Sequence, residues 1–103
     1  IENVIAGSGD DKIIGNTEDN VLTGGTGADI FEFTAGFGSD IITDFVVGTD
    51  KLKIKDAQGN ILTSTNLTDS TSGADLIITL GSDDITLEGL GAVTFDNTFL
   101  EIT

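Results

Sequence analysis

The chain has 103 residues, of which 38% are hydrophobic, and it contains six Phe but no Trp, Cys or His. Without Cys and His it cannot form disulfides, zinc clusters or Ser–His and Cys–His nucleophiles. A net charge of −14, from 18 acidic residues and four lysines, excludes nucleic acid and anionic membranes as favoured partners and implies self-repulsion unless cations intervene. The length predicts one domain, and the hydrophobic content is too high for a chain disordered by composition.

A nine-residue unit occurs four times near the start of the chain. The units at 6–14, 15–23 and 24–32 are contiguous, and the fourth, at 35–43, follows after two intervening residues. Each has an Asp or Asn at its sixth position and a large apolar residue at its eighth, as in Asp11 with Ile13, Asn20 with Leu22, Asp29 with Phe31, and Asp40 with Ile42.

The constant positions of this repeat meet two physical requirements. An apolar residue between free positions is what a short strand needs in order to direct one side chain inward. Glycines upstream of it permit positive φ, so the backbone can turn tightly and bring several carbonyl oxygens to one point. A carboxylate that closes such a turn adds a charged oxygen, and this combination of ligands is the one that calcium prefers.

The same residue types have a simpler interpretation. Gly, Asp and Asn are ordinary turn residues, so short strands joined by Gly-Asp turns are also typical of a metal-free β-sandwich or barrel. Generic turns do not require the apolar residue and the Asp or Asn to recur in step through three consecutive units. Their joint recurrence therefore favours calcium binding.

Residues 24–32, Gly-Gly-Thr-Gly-Ala-Asp-Ile-Phe-Glu, match every fixed position of the pattern Gly-Gly-x-Gly-x-Asp-x-apolar-x. On this motif the chain resembles the RTX family, whose hemolysin-type nonapeptide repeats bind calcium and form a parallel β-roll. The resemblance implies an all-β fold, a short parallel β-roll (an RTX solenoid) capped by a C-terminal antiparallel β segment. It also implies that alternate turns lie on one edge, with each ion between two successive turns of that edge.

The resemblance implies a first calcium site between the turns at 6–11 and 24–29. Asp11 and Asp29 would give carboxylates to a shared ion, and backbone carbonyls would complete the site from Gly7, Gly9, Gly25 and Gly27. On the opposite edge the second unit departs from the pattern, with Asn16, Glu18 and Asn20 in place of Gly, Gly and Asp. A second site there stays an open alternative, built from Asn20, Gly36, Gly38 and Asp40, with Asp19 or Glu18 making up the lost charge.

Residues 41–52 resemble the segment that often closes RTX rolls: Asp-Phe, a spacer, Gly-x-Asp and an apolar residue. Asp44 and Asp50 are therefore candidate ligands for a terminal ion, and the alternative is that they are hydrated turn carboxylates. This segment places the boundary between a calcium-binding roll at 1–54 and a β-rich cap at 55–103, continuous with the roll in a single domain.

The second half of the chain predicts antiparallel β-structure. Candidate strands lie at Lys51–Lys55, 61–64, Asp75–Leu80, 84–88 and 98–102, with a polar connection at 66–73 and a loop or one helical turn at 89–97. We expect these strands to cover the open end of the roll, with Phe95, Phe99 and Leu100 packed there. Lys51, Lys53 and Lys55 alternate with Leu52 and Ile54, which is typical of a solvated strand face rather than a binding patch.

These features predict a non-catalytic, monomeric module that folds on binding extracellular calcium and serves the secretion, folding and stability of a larger protein. The resemblance implies a secreted bacterial protein exported by type I secretion machinery, and no apolar stretch is long enough to span a bilayer. The repeat phase already runs through Glu2 and Val4, which predicts a piece of a longer protein. The alternative is a calcium-dependent carbohydrate- or surface-binding module of a polysaccharide-modifying enzyme or an adhesin, with a polysaccharide as partner.

Overall fold

The computed structural model of the chain describes residues 2–15 and 17–101. Its strands are β1 (Glu2–Ile5), β2 (Lys12–Ile14), β3 (Asn20–Thr23), β4 (Ile30–Thr34), β5 (Ser39–Ile42), β6 (Lys51–Lys55), β7 (Thr68–Ser72), β8 (Asp75–Leu80) and β9 (Asp83–Leu87). Two short 3-10 helices lie at Ser64–Asn66 and Asn97–Phe99. The described residues form no α-helix, and accordingly no helix among them could cross a membrane. The predicted all-β class is confirmed.

The strands form two sheets, one of six strands in the order β1-β3-β5-β9-β8-β7 and one of three in the order β2-β4-β6. From β1 to β6, successive strands alternate between the sheets, and each pairs in parallel with the strand two places away. This winding is that of a parallel β-roll, as predicted. In each sheet, residues at the eighth position of alternate repeats lie side by side: Leu22 beside Ile42, and Ile13 beside Phe31.

The core follows directly from that register. The four eighth-position side chains, those of Ile13, Leu22, Phe31 and Ile42, are at most 6% exposed. Burial of each such side chain contributes about 1.5–3 kcal/mol relative to exposure. Since β2 has three residues and buries only the middle one, each rung of the roll adds little apolar surface to the core.

Two predicted strands of the second half pair differently from expectation. Lys51–Lys55 is a strand, but it runs parallel to β4 as part of the roll, with Leu52 beside Phe31, so the antiparallel prediction was wrong. The strand predicted at 84–88 is β9, which is parallel to β5 and antiparallel to β8. Leu87 continues the column of Leu22 and Ile42, because an apolar residue at the correct register can join the roll without belonging to a repeat. The antiparallel part consists of β7, β8 and β9.

Three further predictions for the second half were wrong in detail. Residues 61–64 form no strand: Ile61 makes one isolated bridge, to Lys55. The polar run at 66–73 contains β7, whose five side chains are all exposed, so only backbone pairing with β8 identifies it as a strand. At 98–102, Leu100 makes a single parallel bridge to Leu52, beside a 3-10 helix, and residues 102 and 103 lie outside the described part of the chain. Residues 89–96 are loop, as one of the two expectations had it.

Aromatic residues near the C-terminus cover the β6 end of the roll, as predicted. Phe99 is fully buried, with its ring stacked on Phe45 at 5.6 Å between centroids. Phe95 packs edge-on against Phe99, with 5.2 Å between the ring centroids, and Leu100 is also buried. The boundary between roll and cap at 54/55 stays a prediction.

All four lysines of the chain lie on β2 and β6, in the three-stranded sheet. Lys12 and Lys55 place their Nζ atoms 3.3 Å and 3.6 Å from the carboxylate oxygens of Glu32, on β4 between them. Burial would raise the pKa of Glu32, but the hydrogen bond and charge of Lys12, with the charges of Lys55 and Lys53, lower it. The lysines therefore neutralise a buried acid, in agreement with a strand face rather than a binding patch.

Candidate metal centres at the turn edges

The turns of the roll lie along two edges. The first edge carries the turns that lead into β2, β4 and β6, at 6–11, 24–29 and 44–50, and the second carries those that lead into β3, β5 and β9. On the first edge the turns at 6–11 and 24–29 are neighbours, as the resemblance implies, because Ile30 N donates to Asp11 O at 2.8 Å.

Glycine is required where these two turns meet. Gly25 and Gly27 have φ of +79° and +97°, a region that L side chains rarely adopt. A Cβ atom added to Gly25 would overlap the carbonyl oxygen of Gly7, and one added to Gly27 would overlap that of Gly9. The carbonyls of the first turn therefore lie directly against the backbone of the second.

A ladder of hydrogen bonds fixes the carboxylates at the sixth position. Asp29 Oδ1 accepts from Asp11 N at 2.9 Å, and Asp50 Oδ1 accepts from Asp29 N at 2.9 Å. On the second edge Asp40 Oδ1 accepts from Asn20 N at 2.8 Å. Each carboxylate is thus held by the amide of the preceding turn on its own edge.

Three turn carboxylates keep one buried oxygen without a hydrogen-bond partner in the described residues. These atoms are the Oδ2 oxygens of Asp11, Asp29 and Asp40. Asp29 and Asp40 are fully buried, and a buried carboxylate oxygen without compensation is strongly unfavourable. Oxygens in this position need a cation or a proton.

The pKa values of the two fully buried carboxylates, Asp29 and Asp40, are both raised above their ordinary value. Burial is the largest cause that raises the pKa of Asp29, and the charges of Asp50, Asp11 and Asp44 act in the same direction against the hydrogen bond from the Asp11 amide. For Asp40, burial and then the charges of Asp19 and Asp84 outweigh its hydrogen bonds with Asn20 and raise the pKa to about 6. Both carboxylates are therefore poised to take up a positive charge.

Asp44 and Asp50 are in a different situation. Asp44 accepts from Gly24 N and Gly25 N, at 2.9 Å and 2.8 Å, with one oxygen for each. Asp50 uses its second oxygen to accept from Val46 N at 2.9 Å. Each oxygen of both carboxylates thus accepts one hydrogen bond from a backbone amide, and their predicted role as ligands of a terminal ion stays a prediction.

The second edge contains the other predicted residues. Asp19 Oδ1 accepts from Ser39 N at 3.0 Å and lies against Gly38, while Asn20 is buried and donates through Nδ2 to Glu18 O at 3.1 Å. A shallow cavity of about 250 Å³ lies beside Asp40. Gly36, with φ of +95°, meets no neighbour that an added Cβ would touch.

Sequence reasoning missed Asp83 as a residue of this edge. Its carboxylate accepts from Gly36 N at 2.7 Å and from Gly38 N at 3.1 Å, so it clamps the fourth turn as Asp44 clamps the third. The signal for it lies in Gly81-Ser82-Asp83-Asp84-Ile85, a Gly-x-Asp turn followed by apolar residues at alternating positions.

Within residues 2–15 and 17–101, no three acidic side chains converge on one point where they could hold a metal ion. An ion between two turns would therefore take at most two carboxylates and complete its shell with carbonyl oxygens. Calcium, which accepts six to eight oxygen ligands of mixed kind, fits such a donor set.

Two comparisons connect this chain to known proteins. The family model described as "Peptidase M10 serralysin C terminal" matches residues 1–97. A lipase from Pseudomonas fluorescens is 43% identical over 63 residues, which cover 59% of this chain and 12% of the lipase. The chain thus spans a small part of the length of this curated relative.

Proposed function

Because the chain belongs to the family of serralysin C-terminal domains, non-catalytic RTX β-roll modules of larger peptidases, we propose that it is a calcium-binding module that folds on the ion. In this proposal the module serves the secretion, folding and stability of the protein that carries it. The enzymatic activity, if that protein is an enzyme, belongs to another part of it.

The observation that carries the proposal is the set of unpartnered Oδ2 oxygens on Asp11, Asp29 and Asp40. At the first site, Asp11 and Asp29 would hold the ion with the carbonyl oxygens of Gly7, Gly9, Gly25 and Gly27. Bound calcium supplies the positive charge that these buried oxygens need and joins the two turns through shared ligands. The chain itself orients Asp29, through the hydrogen bond from the Asp11 amide.

On the second edge, Asp40 would hold an ion with the turn that contains Asn20, and Asp19 would supply the charge that Asn20 lacks. The carbonyls of Gly36 and Gly38 are its remaining candidate ligands. Asp44 and Asp50 have a different role in this proposal: they clamp the turns through backbone amides, since all four of their carboxylate oxygens already accept hydrogen bonds.

Repulsion within a chain of net charge −14 opposes the compact state, and a bound cation would offset part of that repulsion. For a site with a Kd of about 10⁻⁵ M in about 1 mM calcium, mass action contributes roughly 2.7 kcal/mol. Two such sites are comparable with the whole stability of a small domain, about 5 kcal/mol at the lower end. In a calcium-poor cytosol repulsion keeps the chain expanded for type I export, and outside the bacterial cell the ion folds it as a monomer.

The carbohydrate-binding alternative gains little from the cationic side chains of the chain, because three of the four lysines already have partners. Lys12 and Lys55 are paired with Glu32, and Lys51 Nζ donates to Thr98 O at 2.8 Å. A polyanionic polysaccharide would have to compete with these partners on a strongly acidic protein. Calcium-dependent folding is therefore the function that the geometry supports best.

Calcium titration of the chelator-treated chain, followed by far-UV circular dichroism, tests the proposal, with magnesium as the matched ion. We expect a cooperative gain of β signal at sub-millimolar to millimolar calcium and none with magnesium, which keeps its water and demands octahedral geometry. A chain that is fully folded without calcium and unresponsive to it would contradict the proposal.

A further inference from the structure

We propose that a cavity on the outer face of the six-stranded sheet is a docking site for a lysine side chain of a partner polypeptide. The cavity has a volume of about 250 Å³ and lies at the second edge of the roll, where β3, β5 and β9 begin. Pockets for drug-sized molecules are larger, about 300–1,000 Å³, so this cavity suits a single side chain. The inference goes beyond the proposed function, because it depends on Asp84, which none of the proposed ion sites uses.

A row of half-buried side chains forms the floor of the cavity. Val21, Ile41 and Thr86 line it and lie side by side on three parallel strands, since Val21 pairs with Ile41 and Ile41 pairs with Thr86. Each of the three precedes a fully buried core residue, so by strand alternation its own side chain faces outward. The aliphatic stem of a lysine lies favourably along apolar surface of this kind while its ammonium group stays beside charge or water.

Carboxylates stand around the same cavity. It is lined by Asp19, Asp40 and Asp84, and the fully buried Asp40 keeps its Oδ2 without a hydrogen-bond partner in the described residues. Asp83 gives both of its oxygens to backbone amides, whereas the carboxylate of its neighbour Asp84 accepts no hydrogen bond from the described part of the chain. Asp84 is therefore available to accept from an ammonium group.

The arrangement of these carboxylates favours an organic cation over a metal ion. Within residues 2–15 and 17–101, no three acidic side chains are placed to hold one metal ion. The charges of Asp19 and Asp84 nevertheless both act on Asp40, and an ion of charge +2 held by Asp40 would leave one of the three negative charges uncompensated. A lysine ammonium at Asp84 would supply that charge, and its four-carbon stem would cover the apolar floor, which a hydrated ion leaves exposed.

No lysine or arginine of this chain belongs to the sheet that forms the cavity. Its four basic residues are all lysines on β2 and β6, in the three-stranded sheet. Three of them already have partners, in Glu32 and the carbonyl oxygen of Thr98. The lysine that fills the cavity therefore comes from another polypeptide segment, and a net charge of −14 attracts a basic one.

The test is a titration of the folded chain, labelled with nitrogen-15 and kept in saturating calcium, with Nα-acetyl-lysine N-methylamide. We expect saturable shifts of the amide signals at 19–21, 39–41 and 84–86, with a Kd on the order of 1 mM. The same probe acetylated at Nε has the stem without the charge and should cause no saturable shift. The measurement needs only a folded chain, so a chain that folds without calcium would contradict the proposed function and still test this site.

Variants of the wall and of the floor make the test specific. Asp84→Asn should weaken binding of the probe about fivefold or more, and Ile41→Thr should weaken it about threefold. The matched control is Asp69→Asn, which removes an exposed carboxylate on β7 and should leave the Kd unchanged.

Four results would overturn the proposal. Equal binding of the neutral probe would show that charge is not recognised, and an unchanged Kd in Asp84→Asn would show that the probe binds elsewhere. Displacement of the probe by added calcium at constant ionic strength would assign the cavity to a metal ion. Binding of 1,5-diaminopentane at least tenfold tighter than that of the lysine probe would assign it to a free polyamine.

Discussion

Two turns on the same edge of the roll each bury an aspartate to the same extent, but the carboxylates differ in their hydrogen bonds. Asp29, in the repeat turn at 24–29, and Asp50, in the closing turn at 44–50, are 0% and 1% exposed. Asp50 has both oxygens hydrogen-bonded to backbone amides, whereas Asp29 has one oxygen bonded and one without a partner in the described residues. Equal burial therefore leaves the two carboxylates with different needs: the hydrogen bonds of Asp50 involve both of its oxygens, whereas Asp29 keeps one oxygen that a cation or a proton could satisfy.

Replacing each aspartate by asparagine tests most directly whether Asp29 and Asp50 have different roles. Asp29→Asn should lower by about one the number of calcium ions taken up on folding, and it should cost about 3 kcal/mol at 1 mM calcium. Asp50→Asn should cost about 1–2 kcal/mol through its lost hydrogen bonds and leave the ion number unchanged. The ion number is the slope of the logarithm of the folding constant against the logarithm of calcium concentration. Equal slopes for the two variants would remove the distinction between ligand and clamp.

The same two turns can be compared through their glycines. Gly25 and Gly48 both have positive φ, but an added Cβ overlaps the preceding turn only at Gly25. Gly25→Ala should cost about 2–3 kcal/mol, from strain and overpacking together, and Gly48→Ala about 1 kcal/mol from strain alone. Urea unfolding in saturating calcium measures both. If Gly48→Ala were as costly, the close stacking of the repeat turns would not be what requires Gly25.

The sequence predicts the repeat part of the molecule well because its information is local and periodic. The nine-residue spacing places Ile13 beside Phe31, 18 positions along the chain, and the two intervening residues before the fourth unit make Ile42 the partner of Leu22. It does not reveal that Asp44 clamps Gly24 and Gly25, or that Asp83 clamps Gly36 and Gly38, since these bonds join residues 19 to 47 positions apart. Whether a turn carboxylate has both oxygens satisfied by backbone amides depends on that distant partner.

Strand direction in the second half was unpredictable for a related reason. Alternation in β6 and β9 identifies a strand with one buried face, but it is the same for parallel and antiparallel pairing. β6 joins the roll because Leu52 and Ile54 align with Phe31 and Phe33, which is a property of the assembled sheet. β7 has no apolar alternation at all, and it pairs through its backbone alone.

The stability of the calcium-free folded chain should depend on pH through Asp40, the buried carboxylate on the second edge. Burial raises the pKa of Asp40 from its ordinary 3.8 to about 6, so the calcium-free folded state binds the proton more tightly than the unfolded state does. The stability that this proton supplies is present below pH 3.8 and is lost as the pH rises through about 6. We expect a loss of about 1–2 kcal/mol between these limits, after allowance for solvent screening at the turn edge.

Unfolding of the calcium-free chain in the presence of an osmolyte that favours the compact state, repeated from pH 4 to 7, measures this loss. Asp40→Asn should flatten that pH dependence, whereas Asp69→Asn, which removes an exposed carboxylate on β7, should not. A wild-type profile unchanged by Asp40→Asn would show that the second edge has no unsatisfied acid.

Glu32 is a third kind of buried acid in this chain. Lysines, rather than backbone amides, lie beside its carboxylate and lower its pKa. Lys12 is half exposed, with 55% of its side chain accessible, and its Nζ lies 3.3 Å from Glu32 Oε1. Since Lys55 remains beside the same carboxylate, Lys12→Gln should cost only about 0.5 kcal/mol in urea unfolding, less at high salt, with no change in the number of calcium ions. A loss as large as that expected for Asp29→Asn would mean that Glu32 depends on Lys12 alone, and the need for a neighbouring cation would then be a property of buried acids in general rather than of the turns.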